Sequence, residues 1–130
     1  MPIPASWSGP LLSILRIAAA LAFIQHGSSK LFGFPEFPMP GPLPAMLIAA
    51  AVIELVGGTL ILLGLFTRPV AFLASGMSAA AYFIAHAPQG FFPANNGGEP
   101  AMLFAFIFLY LAAAGAGSWS LDALRGKPQG

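Results

Sequence analysis

The chain has 130 residues, of which 58% are hydrophobic and only 7% charged, and its formal net charge is +1. Soluble domains carry about 25% charged residues, so water is excluded as the solvent for most of this surface, and the near-neutral balance argues against a nucleic-acid partner, which leaves a basic patch. Cysteine is absent, which excludes disulfides, thiolate catalysis, iron–sulfur ligation and thiolate metal sites in this chain.

The N-terminus lacks a basic n-region, and its first apolar stretch leads into more spanning segments, so no cleavable signal is expected. That first segment runs from Leu11 to Phe32 and is punctuated by Arg16, Gln25, His26 and Lys30. Phe34 to Pro44 follows, with five prolines. Proline removes a backbone donor and clashes with the preceding turn, so this stretch is not a helix. It is too apolar for a solvated loop and is expected along the membrane interface.

The second segment, Ala45 to Phe66, has Glu54 at its middle, and Thr59 is the only other side chain in it with a polar group. A carboxylate at the centre of a spanning helix costs roughly 2.5–3.5 kcal/mol on insertion scales, a cost that calls for a partner or a use. Thr67-Arg68-Pro69 predicts a tight turn, with Pro69 suited to the first helical position of a third segment, 69–87. A Gly- and Asn-rich loop, Pro88 to Gly98, could fold back over the bundle. Glu99-Pro100 opens the fourth segment, 100–117, where a carboxylate meets the positive helix end. Ser118-Trp119-Ser120-Leu121-Asp122 and a basic tail close the chain.

About 20 apolar residues span the hydrocarbon core. The expectation is an all-α integral membrane four-helix bundle, one membrane domain over residues 1–130, with the lipid bilayer as its principal partner. Arg68, Arg125, Lys127 and Arg16 collect on the side of the termini, against Lys30 on the other, so the positive-inside rule places both termini in the cytoplasm. His26, Lys30, His86 and Glu99 then gather at the outer face. Glu54 lies about 13 Å below it, and a funnel results. A weak internal echo relates the halves: Phe23-Ile24-Gln25-His26 with Phe83-Ile84-Ala85-His86, and Met46 to Ala49 with Met102 to Ala105. It would match Glu54 with Tyr110, and transporter folds place sites at such repeat interfaces.

Each polar residue admits a structural and a functional reading. Glu54 is either half of a buried ion pair, with Arg16 or Lys30, or a proton-accepting, ligand-binding carboxylate. Arg16 and Lys30 share nearly one helix face, so either could turn toward it. His26 and His86 anchor helix ends, or exchange protons with a ligand. Paired histidines on two helices can also hold haem iron, but nothing else suggests a haem pocket. Lys30 snorkels to headgroups or polarises a carbonyl at the mouth, and Glu99 starts a helix or faces the same ligand. No phosphate loop, dinucleotide fingerprint or metal triad is present, and no catalytic residue is singled out.

In order along the chain, Arg16, His26-Gly27 with Lys30-Leu31, Glu54 with Gly57-Gly58, Gly64-Leu65, Thr67-Arg68, His86, Gly98-Glu99 and Gly115-x-Gly117-x-x-Ser120-Leu121-Asp122 resemble the DoxX family of small four-helix bacterial membrane proteins. The resemblance covers residues 11 to 124. Ser118 and Trp119 replace a basic residue common in the last motif. The resemblance implies a multi-pass inner-membrane protein. Some relatives are subunits of a thiosulfate:quinone oxidoreductase, and others are linked to oxidative stress or to quinone and catechol resistance.

Three roles follow. One is a quinone-interacting redox component, with His26, Lys30, Glu54, His86 and Glu99 as candidate ligand-binding residues; its quinone is not covalently held and its electrons come from a redox partner protein or a small reductant. The second is a non-enzymatic scaffold or accessory subunit whose interior charges fix helix packing. The third is a small-solute permeation or export protein acting as a homo-oligomer.

Overall fold

In a computed structural model describing residues 2–37 and 41–126, every regular element is helical. Lys127, counted above for orientation, and Pro38, Met39 and Pro40 of the proline-rich stretch lie outside the described residues. Three helices are long and apolar enough to cross a membrane: α1 (Ala5–Phe32), α2 (Ala45–Leu63) and α3 (Thr67–Gln89). A single turn, α4 (Pro93–Asn96), precedes the shorter apolar helix α5 (Glu99–Ala114), and a last turn, α6 (Leu121–Leu124), follows.

The molecule is apolar outside and mixed inside. Leu21, Val56, Phe72, Phe83 and Phe106 are each more than half exposed, while Ser13, Arg16, Glu54, Thr67, Ser78 and Asp122 are buried. A water-soluble domain keeps its charges out and its large aromatics in. The reverse arrangement belongs to a chain whose outer solvent is hydrocarbon, where polar groups must find partners within the protein.

α1 packs chiefly on α2, and α3 chiefly on α5. Small residues let the first pair approach closely. A Cβ on Gly27 would lie 2.8 Å from the Ala51 carbonyl oxygen and 3.0 Å from the Glu54 Cβ, and one on Gly58 would meet Ile24 Cγ1 at 2.6 Å. Ser75 Oγ joins the second pair by donating to the Ala105 carbonyl at 2.7 Å. Between the pairs lies an apolar cluster centred on Phe23, whose ring meets Phe108 at 4.8 Å and Phe104 at 5.5 Å, edge to face. Phe104 stacks on Phe108 at 5.6 Å. Such aromatic pairs add about 0.5–1.5 kcal/mol beyond the area they bury. In the repeat alignment Glu54 is buried whereas Tyr110 is 60% exposed, so the two halves carry different residues at that position.

Two of the long helices contain a π-helical turn, Ile53–Gly57 in α2 and Tyr82–His86 in α3. An extra residue in a turn rotates the side chains beyond it by about 100° relative to a continuous α-helix. Glu54 lies in the first of these turns and His86 ends the second.

The C-terminal segment closes the end of the bundle where α2 meets α3. Arg16, 1% exposed, sends its guanidinium to three carbonyl oxygens: Ala116, Leu62 at 3.3 Å and Trp119 at 2.8 Å. The Ser13 hydroxyl donates to Ala116 O at 3.1 Å and accepts from Trp119 N at 2.9 Å. The Asp122 carboxylate accepts from the backbone N–H groups of Phe66 and Thr67, each at 3.0 Å. This distant cap starts α3 at Thr67, two residues before Pro69. Gly64, at φ +69°, turns the chain out of α2 in the left-handed region.

Candidate functional site

Above the aromatic cluster, at the end of α1 that carries Lys30, lies a cavity of about 360 Å³, within the size range of small-molecule sites. α1 contributes Phe23, His26 and Lys30, and α2 contributes Leu47 and Glu54. α3 contributes Met77, Ser78 and His86, and Phe104 comes from α5. Phe37 and Gly97 reach it from the two loops. Phe23 belongs to the apolar cluster and Phe104 packs against it, so the two rings join the cavity to that cluster as its floor.

Lys30 Nζ donates to Glu54 Oε1 at 2.8 Å, with the two side chains 13% and 8% exposed. This settles which cation meets Glu54. Arg16, named beside it as a candidate partner, instead holds the C-terminal segment at the opposite end. Arg16 and Lys30 share a face of α1, but 14 residues separate them by about 21 Å along the axis. Depth rather than facing decides the pairing. Burying the pair is tolerable because each charge is the other's counter-ion, and removing one would leave the other stranded in a low-dielectric interior.

The His26 ring stands edge-on to Phe104 at 5.6 Å. His86 Nδ1 lies 3.2 Å from the Asn96 carbonyl oxygen. A carbonyl can only accept, so Nδ1 carries the proton in that bond, and Nε2 is the ring nitrogen not engaged by it. Glu99 stands apart from the others: it is exposed in the first turn of α5 and does not line the cavity. The structure thus brings together His26, Lys30, Glu54 and His86, and leaves Glu99 and Arg16 outside.

Two residues not singled out from the sequence belong to this region. Asn96 is buried and ties the loop over the cavity together. Its Nδ2 donates to the Tyr82 hydroxyl at 3.1 Å and to Gly90 O at 3.0 Å, while its Oδ1 accepts from Gly98 N at 2.8 Å. Its signal was the Asn-Asn-Gly-Gly run, since side-chain amides complete backbone turns. The other is Ser78, 2% exposed on the cavity wall. Its signal was a hydroxyl inside an otherwise apolar spanning segment. Among the described residues, no group of three or more His, Asp or Glu side chains is placed to hold a metal ion.

The DoxX family profile matches residues 11–87 of the chain. An uncharacterized protein of Haemophilus influenzae is 48% identical over 118 residues, covering 85% of this chain and 87% of its own length. The inner membrane protein YphA of Escherichia coli is 43% identical over 70 residues, about half of each chain (48% and 49%). No solved structure matches the chain significantly.

Proposed function

This chain belongs to the DoxX family and is a multi-pass protein of the bacterial inner membrane, and from that premise we propose that it binds a quinone or a similar small oxygenated aromatic in the cavity above Phe23 and Phe104. The observation that carries this reading is the conjunction of an apolar chamber of ring size with a buried Lys30–Glu54 pair and two histidines on its wall. Aromatic side chains at the floor suit a flat ring, edge to face or stacked. Lys30 and a histidine donate to ring oxygens. Glu54 and the histidines exchange protons with them when two electrons and two protons convert a quinone to a hydroquinone. Electrons reach the ring from a partner protein or a small reductant.

In this reading the four helices form one membrane bundle. α5, at 16 residues, spans about 24 Å, and the crossing is completed at its far end by the buried non-helical backbone of Gly115, Ala116 and Gly117, as backbone at membrane depth must be buried. Arg68 and Arg125 lie at the end where Arg16 is sealed, so the positive-inside rule puts both termini in the cytoplasm and the cavity toward the outer leaflet.

The test is binding of menadione, a two-carbonyl naphthoquinone, to the protein in lipid nanodiscs. Wild type saturates, whereas Glu54→Gln and His86→Ala weaken binding by tenfold or more. If both variants bind as wild type does, the reading is lost. One observation favours a second role as a scaffold: Lys30 and Glu54 already satisfy each other. There the same variants lower the melting temperature without any ligand-specific effect.

A further inference from the structure

Ser78 is 2% exposed and lines the cavity, and its buried hydroxyl has no hydrogen-bond partner among the described residues. Buried polar groups in folded proteins are nearly always paired. A helix serine or threonine has an easy partner in the carbonyl one turn back. Thr59 takes that option, donating to Leu55 O at 2.7 Å, and Ser75, one turn before Ser78, donates across to Ala105 O at 2.7 Å. Ser78 does neither, and the space beside it is the cavity.

We propose that Ser78 is a ligand-contacting residue at the deep end of this cavity, its hydroxyl donating to the ligand oxygen farthest from the His86 end. This rests on the reading of the cavity as a site for an oxygenated ring, and it adds a constraint on the ligand. Ser78 and His86 both line the cavity and stand eight residues apart on α3, so they meet a ligand from two different heights. A ring with oxygens on opposite carbons, a 1,4-quinone or its hydroquinone, offers one oxygen to each, whereas both oxygens of a 1,2-dioxygenated catechol face one end.

The experiment compares menadione with 2-methylnaphthalene, the same ring system without oxygens, on wild type, Ser78→Ala and Ser75→Ala in nanodiscs, with melting temperature measured alongside. Loss of one hydrogen bond predicts that Ser78→Ala weakens menadione by about three- to tenfold, leaves 2-methylnaphthalene unchanged, and does not lower the melting temperature. Ser75→Ala is expected to lower the melting temperature and to leave the ratio of the two affinities unchanged. If Ser78→Ala binds menadione as tightly as wild type, or weakens both probes equally with a lower melting temperature, the role of Ser78 is overturned while the cavity remains a ligand site. If wild type itself shows no preference for menadione over the hydrocarbon, the reading of the cavity fails and the role of Ser78 falls with it. Catechol binding as tightly as hydroquinone would overturn the para constraint.

Discussion

Lys30 and Glu54 form a 2.8 Å ion pair across the α1–α2 crossing, each side chain nearly sealed from the surroundings. The pair lies about one turn along α1 from Gly27, where a Cβ would stand 2.8 Å from the Ala51 carbonyl oxygen and 3.0 Å from the Glu54 Cβ. Charge and packing are thus set at one place, and the wall of the cavity depends on both.

Removing one charge should cost more than removing both. Glu54→Gln leaves the Lys30 ammonium without its counter-ion, and breaking a buried pair this way costs about 3–5 kcal/mol. The double variant Lys30→Met, Glu54→Leu removes the desolvation cost with the attraction, so its melting temperature should lie above that of Glu54→Gln. A Glu54→Gln protein that melts with wild type would show the pair to be energetically idle.

Gly27→Ala should loosen the same crossing by shape alone. The added methyl meets the Ala51 carbonyl oxygen at 2.8 Å and Leu55 Cγ at 2.9 Å, and backbone cannot step aside as a flexible side chain can. Overpacking of this kind costs about 1–3 kcal/mol. Gly33→Ala is the useful contrast: nothing lies within 4 Å of its Cβ position, though its φ of +70° adds strain of its own. Thermal melts of the two variants, with Lys30–Glu54 coupling measured by a double-mutant cycle, separate steric loss from strain. Retained full coupling in Gly27→Ala would refute the link between packing and pairing.

Arg16→Lys should release the C-terminal segment even though it keeps the charge. A guanidinium reaches three carbonyls on two separate segments at once, while an ammonium is a compact point donor without that fork. Hydrogen bonds to charged groups contribute about 1.5–3 kcal/mol each. The expected result is faster amide exchange over residues 115–126, with the Lys30 end unaffected. Unchanged exchange there would mean the segment is held by other contacts. Asp122→Ala, which strips the cap from α3, should lose a further 0.5–2 kcal/mol or so and expose the Phe66–Thr67 amides.

Asn96→Ala should act at the other end. It removes two donated bonds and one accepted bond from a buried side chain. Leaving the Tyr82 hydroxyl and the Gly98 amide unpaired costs about 1–3 kcal/mol. Amide exchange should rise over residues 87–98 and menadione should dissociate faster, because Gly97 is part of the cavity wall. Faster exchange without any change in dissociation would separate the loop from ligand retention.

The motif Gly115-x-Gly117-x-x-Ser120-Leu121-Asp122 was visible in the sequence, but its purpose was not. It is a plug: Ser120 caps α6 by accepting from Ala123 N at 3.1 Å, Asp122 caps α3, and Arg16 holds the intervening carbonyls. The sequence left Arg16 and Lys30 as alternative partners for Glu54, because facing on a helical wheel says nothing about depth once a second helix sets the height. Ser78 and Asn96 went unmarked because each acts through what the fold leaves beside it, an open cavity for one and a turn's amides for the other.

Composition and hydropathy were sufficient to establish a helical membrane chain with a buried carboxylate and a polar cluster at one end. Those are sums over neighbouring residues, and a bilayer reads them in the same way. Tertiary packing alone decided that Lys30 rather than Arg16 neutralises Glu54, that His86 enters the cavity while Glu99 does not, and that a serine hydroxyl on α3 is left without a partner. Each of these depends on the height and rotation of one helix against another. Those are set by glycine contacts, π-turns and caps that join residues far apart in the chain.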